Sequence, residues 1–269
     1  TQGTPYLSGT PGFRPSDAAS EQYLPNVQFR LPNGLSVITF IQNVGDQPVD
    51  VTATFVPDPS CTSLRPSVCT GNIVRNVADI QPNDRAQFNP RVDTSLPAGW
   101  FGSVKVETDD DSESIIAFAN QLTLEGSTSG SAAGGYAARN ANNTTNELYC
   151  PYLISALPDY NVSSQAGTLL IQNIGGAPTD VTVEFIVGVN SPTNFNNTLA
   201  PVNLDPGERL SYNFRLNDPA LNGGVPNNWF GSAKITSTGG NIAAVSNIFN
   251  RITTSTDPLG AYNCISPAP

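Results

Sequence analysis

The sequence contains no histidine and no methionine, and its only lysines are Lys105 and Lys234. Without histidine, Ser-His and Cys-His nucleophilic machinery is excluded, and the commonest metal ligand is missing. The net charge is −10, with only 12 Lys and Arg residues in total. Nucleic-acid binding depends on clustered cations, so we expect no nucleic-acid partner. No apolar run reaches the length of about 18 residues that a membrane helix needs, so we predict no direct membrane span.

The composition favours a β protein with many loops. Charged residues make up 13% of the chain, and Gly and Pro number 23 each. Low charge together with many turn-forming residues is typical of short strands joined by turns. No apolar stripe of useful length has the period of about 3.6 residues expected of an amphipathic helix.

A tandem repeat divides the chain. Ile41–Gly45 returns 130 residues later as Ile171–Gly175, and Trp100–Ser103 returns 129 residues later as Trp229–Ser232. Two landmarks with nearly the same spacing indicate a duplicated domain, each copy of about 120 residues and able to form its own core. The predicted organisation is an N-terminal extension (1–21), a first repeat (22–138), a linker (139–147) and a second repeat (148–269).

Both repeats show the alternation of half-buried strands. The apolar residues Val49, Val51 and Phe55 alternate with polar neighbours, and Val181–Phe185 repeats the pattern. About seven short strands per copy, separated by turns, predict an all-β fold of two tandem antiparallel β-sandwiches. We expect these to be Ig-like or jelly-roll-like, preceded by an extended N-terminal arm.

The four cysteines indicate the compartment. Four cysteines allow three pairings. Proximity favours Cys61–Cys69, which leaves Cys150–Cys264. A zinc site is the rival, but the chain lacks histidine and C-x-x-C spacing. Paired cysteines imply an oxidising, extracellular setting. We interpret the start at Thr1 as that of a secreted chain whose signal peptide has been removed.

Candidate glycosylation sites support the same setting. The N-x-[S/T] pattern, which also arises by chance in an Asn- and Thr-rich chain, occurs at Asn142, Asn143, Asn161 and Asn196. The pair in the linker is expected to be the most accessible.

The lysines are the first candidates for chemistry. Ser103 with Lys105, and Ser232 with Lys234, have the i, i+2 spacing that places both side chains on one face of a strand. In both copies we expect the lysine to face solvent, so we predict no Ser-Lys catalysis. Some bacterial pilus domains of similar architecture cross-link Lys to Asn, but nothing in the sequence places an Asn and a catalytic acid beside either lysine.

Two further features have a functional and a structural interpretation. The acidic run Asp109–Asp111 with Glu113 could hold Ca²⁺ through oxygen ligands. The second copy has Thr238–Gly240 there instead, which favours a solvated turn. Trp100 and Trp229 could form a sugar-binding platform, but their repetition favours a structural anchor.

The ordered set of motifs resembles a known group. Each copy has Ile-Gln-Asn-x-Gly, a Val-Thr strand, a Pro turn, and Gly-Ser-x-x-Val/Ile before a second apolar strand. Tyr23–Pro25 opens the first copy, and a Gly-x-Tyr-Asn segment, Gly260–Asn263, closes the second. This set resembles the tandem β-sandwich repeats of secreted bacterial surface proteins. The resemblance implies extracellular scaffolding or adhesion and transfers no catalytic residue. The first copy differs from this pattern at its end, where Tyr136-Ala137 replaces Tyr-Asn.

These observations predict an extracellular structural subunit that polymerises into a filament or pilus-like appendage. Its partner would be a second copy of the chain, contacted through sandwich edges and the N-terminal extension, with Tyr6, Leu7 and Phe13 as inter-subunit residues. The alternative is a monomeric surface module that binds a carbohydrate or another cell. We expect no enzyme activity and no cofactor.

Overall fold

The computed structural model describes residues 12–123, 133–140, 145–156, 165–216, 218–250 and 259–267. Within these residues the fold is nearly all β, and every strand pair is antiparallel, which confirms the predicted all-β sandwich architecture. The helical exceptions are a 3₁₀ turn at Pro15–Asp17, α1 at Pro59–Leu64 and α2 at Pro219–Asn222. Over the same residues, none of the helices is long and apolar enough to span a bilayer.

The first sandwich consists of two sheets that share one core. The β1 sheet has the strand order β4-β3-β6-β1-β9, and the β2 sheet has the order β5-β2-β7-β8. The strands are β1 Glu21–Gln28, β2 Leu35–Asn43, β3 Val49–Pro57, β4 Ile73–Ile80, β5 Arg85–Phe88, β6 Phe101–Thr108, β7 Ile115–Thr123, β8 Ala133–Ala137 and β9 Arg139–Asn140. β9, which pairs with β1, falls in the segment predicted as a linker.

The second sandwich repeats this arrangement. The β10 sheet has the order β10-β16-β12-β13, with β14 also paired to β12, and the β11 sheet has the order β15-β11-β17-β18. The strands are β10 Glu147–Ser155, β11 Gln165–Asn173, β12 Thr179–Val187, β13 Asn197–Thr198, β14 Val202–Leu204, β15 Arg209–Asn213, β16 Trp229–Ser237, β17 Ile242–Asn250 and β18 Leu259–Asn263. β10, β11 and β12 therefore correspond to β1, β2 and β3, and β15, β16, β17 and β18 correspond to β5, β6, β7 and β8.

The repeated Trp-Phe-Gly-Ser motif closes one end of each core. Trp100 and Trp229 are 0% exposed. The glycine that follows two residues later is required because another backbone crosses close by. A Cβ at Gly102 would lie 2.0 Å from the carbonyl oxygen of Val56, and one at Gly231 would lie 2.2 Å from that of Ile186. A side chain at Gly102 would therefore push β3 away from β6, and one at Gly231 would push β12 away from β16.

Two disulfides are present, and they follow the pairing that proximity favours. Cys61 in α1 bonds to Cys69, eight residues later. Cys150 on β10 bonds to Cys264 just after β18, so the last described strand of the second sandwich is tied to its first across 114 positions. In the chain-entropy model, closing a loop of that length stabilises a fold by about 4–5 kcal/mol.

Candidate interaction surface between the sandwiches

The second sandwich docks on the first through the outer face of its β11 sheet. β11 has the unbroken run Leu169-Leu170-Ile171, all buried, because both faces of this strand are covered. Leu170 and Val245 join the hydrophobic core of the first sandwich. Ile174 and Ala243 pack with Tyr23 of β1 in a smaller cluster. β1 is therefore covered by its own β2 sheet on one side and by the second sandwich on the other.

A buried ion pair stands at the centre of this contact. The guanidinium of Arg209, at the start of β15, donates through Nε to Oδ2 of Asp58 over 2.6 Å, and both side chains are 2% exposed. Arg209 also donates to the carbonyl oxygens of Gly102 at 2.6 Å and Pro25 at 3.0 Å. Its guanidinium lies 5.6 Å from the ring centroid of Phe101. A planar guanidinium with several donors can satisfy this many partners at once.

Asp58 is held in place from two sides. As the N-cap of α1 it accepts a hydrogen bond from the backbone N–H of Ser60 at 2.8 Å through Oδ1, which leaves Oδ2 for Arg209. Burial acts to raise the pKa of Asp58, but the charge of Arg209 and the hydrogen bonds from Ser60 and Arg209 outweigh it, so the pKa is lowered. Asp58 is therefore ionised at neutral pH and forms a true ion pair with Arg209.

Polar side chains complete the interface around this pair. The carbonyl oxygen of Gly207 accepts from Oγ of Ser103 at 2.8 Å and from Nε2 of Gln172 at 3.2 Å. At the other end, Nε2 of Gln121 donates to Oδ1 of Asn247 at 3.0 Å. Buried, hydrogen-bonded polar groups of this kind fix one relative orientation, because sliding would leave them unpaired.

A cleft of about 390 Å³ lies between the β1 sheet and loops of the second sandwich. Its charged wall contains Lys105, whose Nζ lies 2.6 Å from Glu21 and 2.7 Å from Glu107. Tyr23 donates to Glu21 at 2.8 Å. Burial acts to lower the pKa of Lys105, but the hydrogen bonds to Glu107 and Glu21 outweigh it and raise the pKa.

The second sandwich repeats this Glu-Tyr-Lys cluster. Lys234 lies 2.7 Å from Glu147, to which Tyr149 donates at 2.8 Å. The hydrogen bond to Glu147 raises the pKa of Lys234. A lysine acting as a base or nucleophile needs a lowered pKa, so both lysines are poorly suited to Ser-Lys chemistry. Ser103, moreover, uses its hydroxyl to hold Gly207.

The two tryptophans belong to the cores. Trp100 stacks on Phe29, with 4.6 Å between the ring centroids. Trp229 packs edge-on against Phe185, with 6.1 Å between the ring centroids. It also donates its Nε1–H to the carbonyl oxygen of Phe195 at 3.0 Å. Neither ring is exposed, so neither can stack on a sugar.

The acidic run lies in the turn between β6 and β7. Asp110 accepts a hydrogen bond from the backbone N–H of Ser112 at 2.8 Å, which lowers the pKa of Asp110. Asp109, Asp110 and Asp111 are exposed. In the part of the chain that the structure describes, His, Cys, Asp and Glu side chains nowhere gather in groups of three or more that could hold a metal ion.

Several sequence-predicted positions, namely Tyr6, Leu7, Asn142, Asn143 and Asn161, lie outside the described residues. Asn196 is exposed beside β13, and its Oδ1 accepts a hydrogen bond from the N–H of Val187 at 2.8 Å.

Phe13 is half-buried and borders a depression of about 300 Å³ on the outer face of the β2 sheet, next to Phe40 and Phe118. Ala19 forms a β-bridge to Ile115, so this part of the extension lies on its own sandwich.

Sequence reasoning missed the two residues at the centre of the interface. Arg209 and Arg85 open equivalent strands after equivalent Pro turns, so the repeated arginine was visible. Asp58 followed by Pro59 is a recognisable helix start, with an N-cap residue before a proline in the first turn. Neither pattern, however, says that Asp58 faces another domain.

Comparisons with known proteins leave this surface as the main guide to function. No protein-family model matches the chain, and no curated protein is significantly similar to it. Among solved structures, an allantoicase shows 10% identity over 83% of this chain and 72% of its own, with a TM-score of 0.21. A β-glucuronidase of glycoside hydrolase family 2 shows 10% identity over 90% of this chain and 23% of its own, with a TM-score of 0.16. Likenesses this weak carry no argument.

Proposed function

We propose that this protein is an extracellular structural subunit that assembles with copies of itself into a filament or pilus-like appendage. The observation that carries the proposal is the interface between its sandwiches. Two copies of one fold are already joined through different surfaces, the β11 sheet of one copy and the β1 strand of the other. A contact between unlike surfaces can be repeated indefinitely, whereas a contact between identical surfaces closes as a dimer.

The disposition of reactive side chains supports a structural role. The lysines are held in ion pairs, the tryptophans fill the cores, and the buried Asp58 and Arg209 neutralise each other. The two disulfides support an oxidising environment outside the cell. Disulfides and a tightly joined pair of sandwiches suit a protein that must persist without repair.

Electron microscopy and light scattering test the proposal. Native extracellular material should contain uniform filaments by negative stain, and the purified chain should form species heavier than 28.3 kDa as its concentration rises. A chain that remains monodisperse at 28.3 kDa at every concentration, with no filaments in native material, would contradict the proposal. Glycan binding by the monomer would then become the leading question.

A further inference from the structure

The interface surface of the second sandwich has a partly exposed counterpart on the first, bordered by Phe13 of the N-terminal extension. On the second sandwich, five residues of this surface are at most 4% exposed. At the equivalent positions of the first sandwich, every side chain is half-buried or exposed. The equivalent pairs are Leu170 and Phe40, Gln172 and Gln42, Arg209 and Arg85, Ala243 and Ile116, and Val245 and Phe118.

The two surfaces also share local chemistry. Gln42 donates to the carbonyl oxygen of Asn83 at 3.3 Å, as Gln172 does to Gly207 at 3.2 Å. Arg85 lies 5.9 Å from the ring centroid of Phe40, which stacks on Phe118 at 6.3 Å. Val44, the counterpart of the buried Ile174, is 39% exposed. Grouped aromatic side chains on an outer sheet face commonly mark an interaction site.

The face that receives Arg209 is repeated as well. On the first sandwich it offers the carbonyl oxygens of Pro25 and Gly102 and the ring of Phe101. The equivalent residues of the second sandwich are Pro151, Gly231 and Phe230.

Within the residues that the structure describes, this second face is exposed to solvent. Ile186 is 37% exposed. Its counterpart Val56 packs against Gly207 of the second sandwich: a Cβ atom added to Gly207 would lie 3.4 Å from Cγ2 of Val56. Tyr152 is 44% exposed, whereas its counterpart Asn26 is 0% exposed. The chain therefore presents a second docking surface and a second receiving face.

We propose that the surface of Phe40, Arg85 and Phe118 on one chain docks on the face of Pro151, Ile186 and Phe230 on a second copy of the chain. The contact repeats between chains the one that exists within each chain. This inference rests on the proposed self-association and names its surfaces. Because the surfaces are unlike, addition continues as a filament or closes as a ring, depending on the rotation between neighbours.

The contact between chains lacks one element of the contact within the chain. The position equivalent to Asp58 is Gly188, where a Cβ would lie 2.8 Å from the ring of Phe230. Arg85 therefore meets carbonyl oxygens and an aromatic ring but no buried carboxylate. Because Arg85 would be buried there without a counter-charge, the joint between chains is weaker than the joint within them, which suits reversible addition of subunits.

Cysteine cross-linking tests the placement directly. Asn83 and Ile186 correspond to Gly207 and Val56, so the variant Asn83→Cys/Ile186→Cys should form disulfides between chains. On a non-reducing gel it should give a ladder of multimers that collapses on reduction. All cysteines among the described residues are already paired. Val56→Cys/Gly207→Cys is the positive control and should cross-link within one chain. Asn83→Cys/Leu216→Cys is the negative control and should give no ladder, because Leu216 is exposed just after β15, in the other sheet of the second sandwich.

A charge reversal tests the same surface in a chain without new cysteines. Arg85→Glu should weaken association at least about tenfold by sedimentation and leave the unfolding midpoint unchanged, because Arg85 is exposed. Arg91→Glu, also exposed on the first sandwich, is the matched control and should associate normally. Filaments that persist in Arg85→Glu, together with no ladder from the cysteine pair, would overturn this surface but not the proposed function. A chain that neither polymerises nor forms a ladder would overturn both.

Discussion

Arg209 and Asp58 are separated by 151 residues of chain and meet at 2.6 Å between the two sandwiches. Desolvating both charges is costly, and the hydrogen bonds of Arg209 to Asp58, Pro25 and Gly102 help to offset that cost. Such a pair contributes more to fixing one arrangement than to net stability. Removing either partner should therefore be far more harmful than replacing both.

We expect Asp58→Asn to lower the free energy of unfolding by about 3–5 kcal/mol, because Arg209 would remain buried without a counter-charge. Urea denaturation of the purified protein measures this. Asp46→Asn, at an exposed position, should change stability by less than about 0.5 kcal/mol. If Asp58→Asn with Arg209→Gln is no more stable than Asp58→Asn alone, the two side chains are not coupled.

The same pair should make stability depend on acid pH. The pKa of Asp58 is lowered in the folded protein from its ordinary value of 3.8. A lowered pKa stabilises the fold above pH 3.8 and loses that contribution as the pH falls through the lowered value. Between neutral pH and about pH 2 the wild type should lose more stability than Asp58→Asn, measured by denaturation at a series of pH values. Parallel curves for the two proteins would contradict this assignment.

A duplicated tyrosine permits a comparison within one molecule. Tyr136 donates to the carbonyl oxygen of Asn26 at 2.7 Å and accepts its N–H at 2.9 Å, where Asn26 is 0% exposed. Tyr262 makes the equivalent pair of hydrogen bonds with Tyr152, which is 44% exposed. Tyr136→Phe should cost about 1–3 kcal/mol, because it leaves two buried backbone groups unsatisfied.

The matched variant Tyr262→Phe should cost less, because water can reach the backbone of Tyr152. Chemical denaturation of the two variants side by side measures the difference. Equal losses would mean that the second sandwich does not shield the Tyr136 site.

Gly102→Ala should destabilise the protein by about 3 kcal/mol, because the new methyl group would overlap the Val56 carbonyl and the Trp100 ring. Thermal unfolding of the variant checks this. Gly239→Ala is the control, since a Cβ at Gly239 meets nothing within 4 Å. An unchanged melting temperature for Gly102→Ala would show that β3 and β6 can separate without cost.

Much of the fold can be predicted from the sequence because its signals are local. Alternation along Val49–Phe55 sets which face of β3 is buried, and the spacing of repeated motifs reveals the duplication. The disulfide pairing follows from proximity for Cys61 and Cys69 and from elimination for the others.

The interaction surface is not predictable in the same way. Arg85 and Arg209 are the same residue in the same local context, yet one is exposed and the other is 2% exposed. Only the docking of the second sandwich distinguishes them, and no periodicity in the chain encodes that docking. The burial of Asp58 depends on the same arrangement, since its local pattern indicates only a helix cap.

The presence of glycine at position 188, where the first sandwich has Asp58, has a mechanical consequence. In an assembly that repeats the contact between sandwiches, joints locked by an ion pair would alternate with joints that lack one. Under tension such a fibre would part at every second joint. Its fragments would be whole chains, each able to rejoin a broken end.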